Sequence, residues 1–110
     1  MRQAKIFYDT IFCGIVTETN DGDFTFLYNT EYIKNYPNQF ITFTMPVSEH
    51  LYRENRLFPF FEGLIPEGWL LEIASKSWKI NTNDRMGLLL ACCKNCIGAI
   101  SVESIISDHE

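Results

Sequence analysis

The sequence contains no basic run and no long apolar run, and its first residues show no signal-peptide pattern. Its 14 Asp and Glu residues outnumber its 9 Lys and Arg residues, for a formal net charge of −5, and no two basic residues are adjacent. Direct binding to nucleic acid is disfavoured because affinity for phosphates depends on clustered cations. No apolar run reaches the length of about 18 residues that a membrane span needs, and the first residues lack a signal-peptide pattern. We therefore expect a cytoplasmic protein without membrane contact.

Cysteine is scarce and poorly spaced for a metal site. Only Cys93 and Cys96 form a C-x-x-C pair, which leaves Cys13, His50 and His109 as the remaining ligands, none of them in a second close pair. A structural zinc site needs four ligands, usually in two such pairs. We expect reduced structural thiols and no bound metal, and a cysteine-based metal or redox module stays open as an alternative.

Catalytic signatures are also missing. His50 lies in a predicted loop and His109 at the predicted tail, and no Ser or Cys stands in a nucleophile motif. The 6 glycines are scattered and form no phosphate-binding loop. A chain of 110 residues is also too short for a kinase catalytic fold. We predict a protein that is not an enzyme, with no catalytic residue and no cofactor.

The first half of the chain alternates apolar and polar residues at the period of β-strands. We predict strands over Lys5–Tyr8, Cys13–Glu18, Phe24–Tyr28 and Phe40–Met45, a connection over 29–38 and a surface loop over Val47–Leu57. Between the second and third strands, Asp21-Gly22 is typical of a tight turn because glycine readily adopts a positive φ.

The second half changes to helical patterns. Pro59 opens a short helix through Leu64, and Asn81–Asp84 supplies caps for a later one. The full set is a helix from Pro59, a second over Glu67–Lys79, a third containing Met86 and Leu88–Ala91, and a closing strand over Gly98–Val102. This order predicts an α+β domain over residues 1–104, with a mainly antiparallel sheet of about five strands and about three helices on one face. Residues 105–110 are predicted to be a flexible tail.

Trp69 is out of place on the second predicted helix. At about 100° per residue, the buried stripe of that helix consists of Leu70, Ile73, Ala74, Ser77 and Trp78. Trp69 lies roughly 110° from the centre of this stripe. Either it packs beneath the preceding aromatic turn or the 47–57 loop, or it is an anchor for a protein partner, because Trp is enriched among binding hot spots. In the second interpretation Glu67, Gly68 and Glu72 belong to the same contact.

Three sequence elements resemble one known family. Residues 57–68 (LFPFFEGLIPEG), the later Asn83-Asp84 with Leu88-Leu89, and residues 96–100 (CIGAI) resemble the N-terminal subdomain of HipA-type toxin kinases. Residues 42–47 (TFTMPV) are similar to a strand of the same subdomain. The resemblance covers nearly the whole chain, but it does not include the kinase core of that family, so no catalytic role is implied.

A separate copy of this subdomain resembles HipS-type proteins of three-component HipBST toxin–antitoxin systems. That resemblance implies an antitoxin that binds a HipT-like Ser/Thr kinase directly, with a HipB-like helix-turn-helix repressor in a ternary complex and DNA contacted only through that repressor. Under this interpretation Trp69 is the candidate to enter or border the nucleotide site. The alternative is an adaptor that links the kinase to the repressor and leaves kinase activity unchanged.

Overall fold

An antiparallel sheet of five strands forms the centre of the protein. The computed structural model of the chain describes residues 1–65, 72, 76, 77, 79–92 and 99–105. The strands are β1 (Arg2–Tyr8), β2 (Ile11–Glu18), β3 (Phe24–Tyr28), β4 (Tyr52–Glu54) and β5 (Ile100–Ile105), in the spatial order β4-β3-β2-β1-β5. The described residues also include the helices α1 (Thr30–Asn35), α2 (Pro59–Glu62) and α3 (Arg85–Cys92).

The first three strands form a meander, as the alternation predicts. The turn between β2 and β3 contains Gly22 at φ 88°, which confirms a glycine-dependent turn there. β5 pairs with the other edge of β1, with Ile6 opposite Val102. It begins and ends later than the predicted closing strand, whose first residue, Gly98, lies outside the described residues. β5 includes Ile105, the first residue of the predicted tail over 105–110, so the prediction is wrong at that residue, and residues 106–110 lie outside the described residues.

All three described helices contribute to one core on a single face of the sheet. Ala4, Ile6, Val16 and Phe26 point from the strands into this core, and each is 0% exposed. The helices add Tyr32 from α1, Phe61 from α2, and Met86, Leu88 and Leu89 from α3. On the opposite face, Leu27 is 45% exposed. The predicted α+β class, with helices on one face of an antiparallel sheet, is therefore confirmed.

The prediction for residues 40–57 is wrong. Residues 40–45 form no strand, and the fourth strand is β4, inside the segment predicted to be a surface loop. The backbone of the 40–45 segment is bound by side chains, because the Tyr28 hydroxyl donates to the Met45 carbonyl and accepts from the Ile41 N–H at 3.2 Å. β4 is a short edge strand in which only Tyr52 is half-buried, so it carries little alternation to recognise.

The predicted connection over 29–38 contains a helix. α1 follows Asn29, which occupies the N-cap position without a side-chain hydrogen bond to the helix. Tyr32 is its only buried residue, and it is 2% exposed. The helix has 6 residues, fewer than two turns, which is too short for its apolar residues to show a helical period in the sequence.

The two C-terminal helix predictions have different outcomes. The third helix is confirmed as α3. The second, Glu67–Lys79, lies mostly outside the described residues, although Glu72, Lys76 and Ser77 are helical and exposed. The prediction that Ser77 belongs to a buried stripe is wrong. Lys79 has φ 54°, a left-handed conformation common just after a helix end. No described helix has the length and apolar character to cross a membrane.

We predict that Gly14→Ala destabilises the fold. An added Cβ would lie 2.5 Å from the Leu27 carbonyl oxygen and 2.8 Å from Cζ of Phe26, both of which are fixed in β3. Overpacking of this kind costs about 1–3 kcal/mol. The free energy of unfolding, measured by urea denaturation, should fall by this amount.

Gly63→Ala is the matched control. Gly63 has φ −66°, and the nearest atom to its added Cβ is the Phe60 carbonyl oxygen at 3.4 Å. An alanine there restricts the unfolded chain and should raise stability by up to about 1 kcal/mol. Equal losses in both variants would contradict the contact at Gly14.

Candidate partner-binding surface

The segment that contains the predicted contact residues follows α2 in the chain. Pro59 occupies the first turn of this helix, Phe61 is 0% exposed beneath it, and Ile65 is 3% exposed just beyond it. Phe61 packs on Phe26 of β3 with ring centroids 5.8 Å apart. The chain therefore leaves the core towards residue 66 from a fixed point.

The predicted contact residues follow that point. Glu67, Gly68 and Trp69 lie outside the described residues, and Glu72 is helical and exposed. At the far end of the segment, Ile80 is partly buried and packs against the same core as Ile65. A buried residue, Ile65, therefore precedes the segment that contains Trp69, and a partly buried one, Ile80, follows it.

A two-point ion pair fastens α2 to α3. Arg85 Nε donates to Oε1 and Oε2 of Glu62 at 3.0 and 3.1 Å, and its Nη2 donates to Oε1 at 2.8 Å. Arg85 Nη1 donates to the Thr82 carbonyl at 3.0 Å. From the sequence, Glu62 is only a capping or solvated charge, because its partner is far along the chain. The arrangement holds the orientation of α2 relative to α3.

A second Arg pair ties the start of α3 to the sheet. Arg2 Nη1 and Nη2 donate to the two carboxylate oxygens of Asp84 at 3.0 and 2.6 Å, and Arg2 Nε donates to Glu18 at 2.7 Å. Asp84 also accepts the Gly87 N–H at 3.1 Å, so it is the N-cap that the sequence predicts. The hydrogen bonds from Arg2 lower the pKa of Asp84, and the carboxylates raise the pKa of Arg2.

Two cavities open beside α2. One of about 570 Å³ is lined by Arg56, Leu57, Pro59, Glu62, Gly63 and Arg85. The other, of about 260 Å³, is lined by Thr44, Met45, Tyr52, Arg53, Glu54, Phe58 and Pro59. Pro59 lines both cavities, so they adjoin at the start of the helix. The surface around α2 is concave on both sides of Pro59.

The described residues give little support for a nucleophilic thiol or a metal site. Cys13 is a free thiol at a bulge of β2, fully buried, and burial raises its pKa to about 12. A neutral, buried thiol is a poor nucleophile and a poor metal ligand. Among the described residues, no group of three or more His, Cys, Asp and Glu side chains could hold a metal ion. Cys93 and Cys96 lie outside them.

We predict that Asp84→Ala lowers the free energy of unfolding by about 1–2 kcal/mol, because α3 loses its cap and Arg2 loses a partly exposed ion pair. Asn83→Ala is the control, since Asn83 is exposed and should change stability by no more than about 0.5 kcal/mol. Urea denaturation at neutral pH measures both effects. Equal losses in the two variants would contradict the role of Asp84.

The same pair predicts a pH dependence. The folded pKa of Asp84 is lowered, so its contribution is fully present above the ordinary Asp pKa of about 3.9 and is lost as the pH falls through the lowered value. The stability difference between the wild type and Asp84→Ala should therefore stay constant from neutral pH to about 5 and shrink below about 4. A difference that disappears near pH 6 would assign the effect to another group.

Comparison with known proteins agrees with the geometry. The family model of the HipA N-terminal domain matches residues 4–103. A solved structure of the N-terminal domain of HipA toxin superposes with a TM-score of 0.74 at 26% identity, covering 98% of this chain and 96% of that one. An uncharacterized protein of Haemophilus influenzae is 30% identical over 103 residues, which are 94% of this chain and 92% of that protein. The chain belongs to the HipA N-terminal domain family, and its fold is that of a HipA-related toxin–antitoxin component.

Proposed function

We propose that this chain is a HipS-like antitoxin that binds a HipT-like Ser/Thr kinase and inhibits it. The observation that carries the proposal is the family match over nearly the whole chain together with the fixed start of the Trp69 segment at Ile65. In HipA, this domain is by itself a non-catalytic subdomain. Its effect on a kinase must therefore come from binding.

The residues on either side of the segment that contains Trp69 pack against the core, and this favours Trp69 as an anchor for a partner. Ile65 is buried on one side of the segment and Ile80 packs against the core on the other. The Glu62–Arg85 pair holds the preceding helix in place. Fixed ends limit the conformational freedom that the residues between them can lose on association, which favours tight binding. A rigid indole can then compete with a nucleotide for an apolar cleft.

The negative charge of this chain also favours a kinase as its partner. Kinase nucleotide sites hold cationic groups and metal ions that bind phosphates. This chain has a net charge of −5, and Glu67 and Glu72 flank Trp69 in the sequence, with the Glu72 side chain exposed. Carboxylates near such a site would be attracted to the cations that ordinarily hold the nucleotide. The same net charge disfavours DNA binding, so DNA contact belongs to a HipB-like repressor in a ternary complex.

We predict that Trp69→Ala weakens kinase inhibition roughly thirtyfold, the loss expected when a hot-spot anchor worth about 2 kcal/mol is removed. The measurement titrates this chain into a purified HipT-like kinase and follows phosphate transfer at fixed ATP. A parallel thermal melt should show an unchanged unfolding temperature. A large fall in that temperature would assign Trp69 to the core.

Leu27→Thr is the matched control for Trp69→Ala. It alters an exposed apolar side chain on the sheet face opposite the helices, so inhibition and stability should stay at the wild-type values.

Unchanged kinase activity with a molar excess of wild-type chain would reject inhibition. Co-expression then identifies an adaptor, because growth arrest would be relieved only when the HipB-like repressor is also present.

A further inference from the structure

Phe43 is exposed to an unusual degree for a phenylalanine. The residue is 87% exposed, against 71% for Met1, 50% for Leu51 and 45% for Leu27, the other exposed large apolar residues of the described chain. It lies at the tip of a turn closed by the Met45 N–H, which donates to the Thr42 carbonyl at 3.1 Å. The ring of Phe40 packs on it with centroids 5.1 Å apart. Covering such a ring with apolar surface of a partner is favourable, because it removes the ring from water.

Three tyrosine hydroxyls donate hydrogen bonds to the backbone of the segment that carries Phe43. Tyr28 donates to the Met45 carbonyl. Tyr32 donates to the Gln39 carbonyl at 2.5 Å, and Tyr52 donates to the Pro46 carbonyl at 2.6 Å. These bonds reach the backbone on both sides of the turn. The loop therefore keeps one shape although it belongs to neither a helix nor a strand.

The tyrosines themselves are fixed by packing. Tyr28 and Tyr32 are each 2% exposed and stack with ring centroids 5.9 Å apart, while Tyr52 meets Tyr28 edge-on at 6.5 Å. Burial raises the pKa of Tyr28 to about 12, so this hydroxyl stays a donor throughout the physiological range. The phenyl ring of Phe43 is thus presented on a preorganised support, and little entropy remains to be lost when it binds.

The composition of this loop indicates the chemistry of its partner. Residues 35–48 contain no Asp, Glu, Lys or Arg, in a chain that is 21% charged. The buried centre of a protein–protein interface is depleted of charge and enriched in aromatic residues. Nucleic acids and anionic lipid surfaces are poor partners for an uncharged loop on a chain of net charge −5. The loop fits an uncharged apolar pocket on a folded protein.

The Phe43 loop is continuous with the surface around α2. Thr44 and Met45, the two residues after Phe43, line the cavity of about 260 Å³, and Pro59 lines both this cavity and the one beside Glu62 and Arg85. A protein seated on α2 therefore also lies beside the loop. One partner can cover both features.

We propose that Phe43 is a second anchor for the same kinase, inserted into an apolar pocket of that protein away from its nucleotide site. The proposal rests on the antitoxin function proposed above and assigns different roles to two aromatic residues. Phe43 contributes affinity, whereas Trp69 contributes inhibition. Bivalent attachment of this kind keeps the inhibitor on the kinase even when ATP competes locally with Trp69.

The test measures binding and inhibition separately with the full chain and the same HipT-like kinase. Binding is measured by calorimetry, or by surface plasmon resonance with one of the two proteins immobilised. Inhibition is measured as phosphate transfer at a saturating concentration of this chain. We expect Phe43→Ala to raise the dissociation constant about tenfold or more while inhibition at saturation stays complete. The unfolding temperature should be unchanged, because the residue is 87% exposed. Leu27→Thr, on the opposite face, should leave every measurement at the wild-type value.

A milder variant tests the preorganised support. Tyr52→Phe removes the hydroxyl that donates to the Pro46 carbonyl and leaves Phe43 in place. We expect a smaller rise in the dissociation constant, about three- to fivefold, because the loop then loses more freedom on binding. An unchanged affinity in Tyr52→Phe alongside a loss in Phe43→Ala would overturn the claim that the tyrosine support matters.

Failure of this inference is distinguishable from failure of the antitoxin function. If the wild-type chain neither binds nor inhibits the kinase, the proposed function is rejected and this inference with it. If the wild type binds and inhibits and Phe43→Ala binds equally well, only the second anchor is rejected. Wild-type self-association that Phe43→Ala abolishes, or a loss confined to binding of the HipB-like repressor, would also overturn it by assigning the pocket to another protein.

Discussion

Burial of Phe26 and Phe61 against each other determines where the main surface features lie. Both side chains are 0% exposed, and their ring centroids are 5.8 Å apart. Each buried aromatic side chain of this size contributes about 1.5–3 kcal/mol, so the contact is expensive to break. It places α2 on the sheet and thereby fixes the point from which the chain continues to residue 66. Tyr28, two residues after Phe26 on the same face of β3, supports the Phe43 loop.

The ion pairs have a positioning role rather than a large energetic one. Side chains of Arg2, Asp84, Glu62 and Arg85 keep 30–38% of their surface exposed. Partly exposed pairs contribute about 0–1 kcal/mol each, far less than the aromatic core. Their geometry is nevertheless specific, because each guanidinium meets a carboxylate at two points. α3 is joined in this way to β1 at one end and to α2, and the surface beside Pro59 keeps its shape.

The polar groups buried in this domain serve its structure. Burial is the main cause of the raised pKa values of Cys13, Tyr28 and Tyr32, so these groups are neutral at physiological pH. The two tyrosine hydroxyls hold backbone carbonyls of an irregular segment, which replaces the hydrogen bonds that a neighbouring strand would have supplied. This use of side-chain donors explains how a loop without regular structure can present an aromatic ring in a defined position.

Local patterns were enough for the elements whose neighbours are close in sequence. The alternation in Phe24–Tyr28 predicts β3, and Asp84 before an apolar run predicts the start of α3, because both signals depend on residues a few positions apart. Features that depend on distant partners could not be predicted in this way. Phe40–Met45 has the alternation of a strand, yet Tyr28 and Tyr52 bind the backbone within and just beyond it from elsewhere in the fold. The pairing of Glu62 with Arg85 and the 87% exposure of Phe43 likewise follow only from tertiary packing, since no local pattern records which side chains the folded chain brings together.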